Sequence, residues 1–344
     1  MTSYHPNTTL ICNGGTNAQP MAEDLFSHKI TMNRWQRARS IIFCCTLAPI
    51  RIFLIFITVL LSWAVSSIAL RGITDEELTS CPLNSWRATI KEVARAFGRI
   101  SLRFCGFHRV SVKGRRVTCG EAPILVVAPH STFFDAFAAF WGGGEMPYVV
   151  SREENKHLPL IGKCIKCAQA VCVSREDPKS RQQTVQEIIR RANSNSTQFA
   201  WPQLMIFPEG STGNRRALMT FKSGAFCPGK PVQPVVLRYP NDIDTVTWTW
   251  NQPHGALAVM WLTLSQAYSK AEMEFLPVYH PSQEEVQDPK LYASNVRDVM
   301  AAALGVPTSD VTFEDVKQRY GYEQNSKTND ELTKIRKSKT QKNA

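Results

Sequence analysis

A five-residue run, Ile124-Leu-Val-Val-Ala128, constrains the folds open to this chain more than any other stretch. It is wholly apolar, and three of its residues are β-branched. A segment so short and uniform has the length and branching of a buried strand. Pro129 closes it, because proline offers no donor to a sheet ladder. Short apolar runs recur at 110–112, 147–151, 170–173, 204–207, 232–237 and 273–279, and the patterns at 133–140, 180–193 and 255–268 read as helices. Strands alternating with helices predict an α/β layer structure.

The chain has 344 residues, enough for one large domain or two small ones with a real core. Apolar residues make up 43% and charged residues 20%, a globular rather than disordered balance. The net charge of +11 suits an anionic membrane surface or a phosphorylated substrate. No aromatic-interleaved basic module is present, so nucleic acid is not an expected partner. The ten cysteines show no paired zinc spacing: Cys164 and Cys167 form a lone CxxC, and Cys44-Cys45 is a doublet beside an apolar segment. Reduced thiols facing the cytosol are the plainest reading.

Residues 1–40 form a polar tail ending in Arg34, Arg37 and Arg39. From 52 to 70 come 19 residues without a charge, long enough to cross a bilayer as a helix. The whole apolar stretch, 41–70, is interrupted by Pro49 and Arg51. It is either a single span with its basic flank in the cytosol or a re-entrant hairpin whose arms meet near residues 49–51. A single span would put the remaining chain opposite the basic flank, against the reduced-thiol reading. This favours the hairpin or an interfacial anchor. Residues 71–82 read as a polar linker. Residues 86–107 read as a basic amphipathic helix, suited to a membrane surface or to a core with a solvated basic face. Residues 321–344, rich in lysine, read as a disordered tail.

Four groups carry potential chemistry. His130 follows the strand 124–128 at a corner where Ser131 or Thr132 can cap the next helix, and Asp135 sits five positions on. A carboxylate there can fix one ring nitrogen and leave the other free to take a proton, an arrangement of base and orienter without a nucleophile of its own. Phe207-Pro-Glu-Gly-Ser-Thr212 places Glu209, Gly210 and Thr212 at a strand's carboxyl end, where α/β sheets bind ligands. In this reading Glu209 accepts hydrogen bonds from substrate hydroxyls. Arg175, after Val171-Cys-Val-Ser174, and Lys222, beside Gly224, are candidate phosphate ligands. Either basic residue taken alone is more often a surface charge than a ligand. No G-x-S-x-G elbow occurs, which argues against a soluble serine hydrolase.

His130-Ser-Thr-Phe-Phe-Asp135 resembles the H-x4-D motif of the glycerolipid acyltransferases. Phe207-Pro-Glu-Gly-Ser-Thr212 is similar to that family's second signature, the segment 162–175 to its intermediate motif, and Pro231-Val-Gln-Pro-Val-Val236 to its last. The likeness covers roughly residues 90–280 and looks strongest to the lysophosphatidylcholine acyltransferase branch, without a calcium-binding D-x-D-x-D-G loop. The resemblance implies a mixed central sheet flanked by helices, an acyltransferase domain over 83–320 and an N-terminal membrane anchor. It implies that His130 is the base and Asp135 its orienter. Glu209, Gly210, Thr212, Arg175 and Lys222 would bind substrate, acyl-CoA would be co-substrate, and no metal or other cofactor would be required. A lysophospholipid and the lipid bilayer are the expected partners, with the catalytic domain on the cytosolic face of the endoplasmic reticulum. A lysophosphatidic acid or glycerol-3-phosphate acyltransferase, or a catalytically silent lipid-binding relative, stays open.

Overall fold

A computed structural model describes residues 25–83, 85–174, 177–194, 201–251, 253–312, 314–315 and 318. The predicted tail at 321–344 and most of the one at 1–40 lie outside them. In chain order the helices are α1 (Arg34–Cys45), α2 (Leu47–Ala69), α3 (Asp75–Ser80), α4 (Ser85–Phe104), α5 (Phe137–Trp141), α6 (Ile161–Cys167), α7 (Pro178–Ala192), α8 (Ala256–Leu264), α9 (Gln283–Gln287) and α10 (Pro289–Leu304). The strands are β1 (Arg109–Lys113), β2 (Ile124–Ala128), β3 (Tyr148–Arg152), β4 (Val171–Val173), β5 (Leu204–Ile206), β6 (Val232–Arg238) and β7 (Lys270–Phe275).

The strands form one sheet in the order β1-β7-β6-β2-β5-β3-β4. Every pairing is parallel except β6 with β7. β2 lies near the centre and is buried at all five positions, as its composition requires. Successive residues of a strand face opposite sides, and the core divides accordingly. Ile124, Val126 and Ala128 pack with α7 and α10 through Ile188, Tyr292, Val296 and Met300. Leu125 and Val127 pack on the other face with Phe107, Phe134, Phe137 and Leu102. The carboxyl ends of the parallel strands β2, β3, β4 and β5 therefore point the same way, and the loop after β2 carries His130.

Three sequence expectations shift. The last strand is Lys270–Phe275, displaced from 273–279, because Glu272 and Glu274 occupy its half-buried face while Ala271, Met273 and Phe275 are buried. The helix expected over 133–140 opens as a 3-10 turn, Phe133–Ala136, before α5. A hairpin meeting near residues 49–51 is not found: the helices break at Thr46, and α2 runs unbroken through Pro49 and Arg51. Pro49 lies in the first turn, where a backbone N–H has no intrahelical acceptor to lose.

α2 lies along the domain. Ala48 and Arg51 near one end and Ser66 and Ala69 near the other are all buried, while Phe53, Phe56, Leu60, Leu61 and Ile68 are exposed. Thr58 Oγ1 meets Ser101 Oγ of α4 at 2.7 Å. Arg51 Nη1 donates to the carbonyls of Leu264 (2.8 Å) and Gln266 (2.5 Å), and Nη2 to that of Ala267 (2.7 Å). The guanidinium thus closes the carboxyl end of α8, where orphan carbonyls and the helix dipole both favour a cation. Arg51→Met leaves those carbonyls without their donors and is expected to cost ~2–4 kcal/mol. Thermal unfolding in detergent reads this as a clear fall in Tm; an unchanged Tm would show that the contacts stabilise nothing.

Candidate active site

The 3-10 turn after β2 builds the first element of the site. Thr132 Oγ1 accepts from the Phe134 N–H at 3.3 Å. Asp135 reaches back, its Oδ2 accepting from the N–H groups of Ser131 (2.7 Å) and Thr132 (3.0 Å). Asp135 is fully buried, and the same Oδ2 meets His130 Nδ1 at 2.8 Å. An ionised carboxylate can only accept, so Nδ1 carries the proton and Nε2 presents a lone pair. Among the described residues no serine or cysteine hydrogen-bonds Nε2.

Two partners extend the pair beyond what its spacing suggests. The Tyr239 hydroxyl, directly after β6, donates to Asp135 Oδ1. Burial, and then the Asp135 charge, push the Tyr239 phenol well above its ordinary pKa, so it remains a donor. Arg215 lies 5.1 Å from the Tyr239 ring centre, donates from Nη1 to Ser131 Oγ at 3.1 Å, and pairs through Nη2 with Asp244 at 2.5 Å. Tyr239→Phe strips one donor from a buried carboxylate. It is expected to lower kcat about tenfold, with little change in KM, and to cost ~2 kcal/mol of stability. Wild-type kcat and Tm in this variant would remove Tyr239 from the site.

The Glu209 segment holds His130 from behind. Glu209 Oε1 accepts the His130 backbone N–H at 2.7 Å and Oε2 accepts the Met219 N–H at 3.3 Å. The Gly213 N–H donates to the His130 carbonyl at 2.8 Å, and the Phe207 ring lies 4.6 Å from the imidazole. Glu209 is buried and does not line the cavity described below. The structure therefore places it behind the histidine, not facing a substrate hydroxyl as the sequence suggested. Burial pushes its carboxyl up to about 8, against the two backbone N–H groups that favour its charge; the nearby Asp135 raises it further.

A cavity of about 720 Å³ opens in front of His130. Val150, Val173, Val185, Ile188 and Ile206 give it an apolar side, and Lys222, Gly210 and Arg181 also line it. Gly210 has a φ of +69°, which favours glycine, and a Cβ there would come within 2.9 Å of Lys222 Cε, so the lysine stem would have to shift. Lys222 Nζ lies 3.6 Å from Glu314. Thr212 is buried and does not line the cavity. Arg175 lies outside the described residues. The structure thus brings His130, Asp135, Gly210 and Lys222 to one place, with Glu209 supporting them. Sequence reasoning missed Tyr239, Arg215 and Asp244. Only Tyr239 left a signal, as a polar-tipped aromatic between a strand and Pro240.

A mixed α/β sheet here presents a histidine, hydrogen-bonded to a buried aspartate, on the wall of a cavity with one apolar side. The sequence model of the acyltransferase family matches residues 109–238, from β1 to the end of β6. The chain is 47% identical to the lysophosphatidylcholine acyltransferase of Drosophila melanogaster over 292 residues, 85% of this chain and 54% of that protein. It is 47% identical to lysophosphatidylcholine acyltransferase 1 of Homo sapiens (86% of this chain, 54% of that protein) and 44% identical to the Homo sapiens lysophospholipid acyltransferase LPCAT4 (87% and 56%). It spans about half the length of these curated relatives. Among solved structures, the 1-acyl-sn-glycerophosphate acyltransferase PlsC of Thermotoga maritima shares the fold, with a TM-score of 0.52 and 17% identity, covering 79% of this chain and 100% of that one. Residues 109–238 of the chain thus match the acyltransferase family, and these relatives carry lysophospholipid acyltransferase names.

Proposed function

We propose that the protein transfers an acyl chain from acyl-CoA to the free hydroxyl of a lysophospholipid of the lysophosphatidylcholine type. The observation that carries this reading is His130, with Nδ1 bound to a buried carboxylate and its ring on the cavity wall. Nε2 removes the acceptor's hydroxyl proton as the oxygen attacks the thioester carbonyl. The tetrahedral intermediate collapses by breaking the carbon–sulfur bond. The imidazolium returns its proton to the departing thiolate, so ester and thiol form with no covalent enzyme intermediate. Asp135 and Tyr239 hold the imidazole and steady its charge. Lys222, with Gly210 giving it room, binds the acceptor's phosphate, and Arg175 is a further candidate phosphate ligand. The apolar side of the cavity receives an acyl chain. No metal takes part in these steps.

The acceptor class rests on the names of relatives 44–48% identical to this chain. A panel of lysolipids given to the purified protein with one acyl-CoA tests it: lysophosphatidylcholine should give phospholipid with the highest kcat/KM. A higher value for lysophosphatidic acid would move the acceptor to that class.

The site works at a membrane surface in this reading, and 41–70 is its anchor ahead of an acyltransferase domain over 83–320. α2 is long and apolar enough to cross a bilayer, but its burial on one face against the domain and its large exposed apolar residues on the other support an anchor in the plane of the interface. Exposed Trp35, Ile41 and Ile42 of α1 and Leu257 of α8 add to that surface, and Trp261 of α8 bonds Cys44 of α1. By family resemblance we assign it to the cytosolic face of the endoplasmic reticulum.

A further inference from the structure

We propose that the cavity-facing row of α10 is a second phosphate subsite, which takes the nucleotide end of the acyl donor; this rests on the transferase reading above. Lys290, Ser294 and Arg297 all line the cavity. Their spacing of four and three residues puts them on one face of the helix.

Arg297 anchors the row. It is only 8% exposed, and its Nη1 donates to the Ser309 carbonyl at 3.1 Å and to Thr220 Oγ1 at 3.4 Å. Its Nε has no hydrogen-bond partner; the Asp298 carboxylate is 3.9 Å away. A buried donor left unmet is costly and uncommon. Nε itself is shut off from the cavity, but the guanidinium, tethered through Nη1, lines the cavity, and such a group matches the oxygens of a phosphate. Lys290, exposed and seven residues earlier, supplies a second charge at the rim. Carboxylates do line this wall, Asp310 and Glu314. Glu314, however, lies against Lys222 at 3.6 Å and Arg181 at 4.0 Å, so its charge is directed at other cations.

The chemistry of the two substrates separates the two subsites. A lysophospholipid carries its phosphate a few bonds from the hydroxyl that reacts, which suits Lys222, packed against the Gly210 turn beside the His130 support. A CoA thioester carries its phosphates at the far end of a long arm, away from the reacting carbon. It needs cations in the cavity besides Lys222, and α10 supplies them. The row also lies beyond residues 109–238, the segment that matches the family model.

Two donors with one acyl chain test the assignment: acyl-CoA, and the acyl thioester of pantetheine, which has no phosphate. The full chain in phosphatidylcholine vesicles is compared with Lys290→Glu and Arg297→Gln. KM for acyl-CoA should rise about tenfold or more. KM for the pantetheine thioester and for the lysolipid should stay at the wild-type value. CoA alone should raise the Tm of the wild type and raise that of Lys290→Glu less. A rise in lysolipid KM at constant acyl-CoA KM would make the row an acceptor-headgroup site and overturn the proposal. Unchanged acyl-CoA KM and unchanged CoA protection would overturn it too. If Arg297→Gln fails to fold, Lys290→Glu, a surface change, decides the question. If the wild type transfers to no lysolipid, the transferase reading fails, and CoA protection still decides the subsite.

Discussion

Replacing His130 by alanine is expected to lower turnover about a hundred- to ten-thousand-fold, the range lost when a positioned general base is removed. The fold should survive. The backbone N–H that Glu209 accepts and the carbonyl that Gly213 donates to are still present at residue 130, and the ring is partly exposed. The variant should therefore keep its Tm to within a few degrees and bind vesicles as the wild type does. Steady-state kcat at saturating donor and acceptor is the measurement. A variant that retains kcat within about threefold of wild type would sink the base assignment.

The second large effect lies at Glu209 and shows in stability as well as rate. Glu209→Ala leaves the buried N–H groups of His130 and Met219 without acceptors and frees the histidine's backbone. A loss of ~2–4 kcal/mol is expected, together with a fall in kcat. Glu209→Gln isolates the titration. The carboxyl sits at about 8 in the fold, against an ordinary value of 4.5. Between those values the folded chain keeps a proton that the unfolded chain has released. Stability from this group is thus fully present below about pH 4.5 and is lost as pH rises through about 8, with a limiting slope of ~1.4 kcal/mol per unit. Glutamine does not titrate. The stability of the wild type relative to Glu209→Gln should therefore fall as pH rises from about 4.5 to about 8, and parallel curves in denaturant titrations would refute a raised Glu209.

What the sequence disclosed and what it hid follow from contact range. β2 was readable to the residue because an all-apolar five-residue run has few alternatives. The His130–Asp135 pair was readable because five residues span one corner. Tyr239 was not, since it is 104 residues from the carboxylate it donates to and nothing local marks the contact. Glu209 was found but given the wrong orientation. A Glu-Gly turn at a strand end looks the same whether its carboxylate faces a ligand or the backbone behind it, and here the two N–H groups claimed it. The resemblance implied a mixed sheet, but which pair runs antiparallel, β6 with β7, was hidden, because alternation along one strand says nothing of its neighbour's direction. α10 went unread although its signals are local: Asp288 caps Lys290 and Leu291, Pro289 opens the helix, and Gly305 ends it in the left-handed region. The apolar segment was legible as a helix long and apolar enough to cross a bilayer, but its packing on the domain was not, because the three carbonyls that meet Arg51 arrive from residues 264–267.

In the proposed mechanism the transfer is direct: the lipid hydroxyl itself attacks the thioester. Free thiol and new phospholipid, measured together from one reaction of the purified chain with acyl-CoA, test it most directly. One thiol should appear for each phospholipid formed, and none above the buffer rate when the lysolipid is left out. Thiol released at the full rate without acceptor would make the protein a thioesterase and contradict this mechanism.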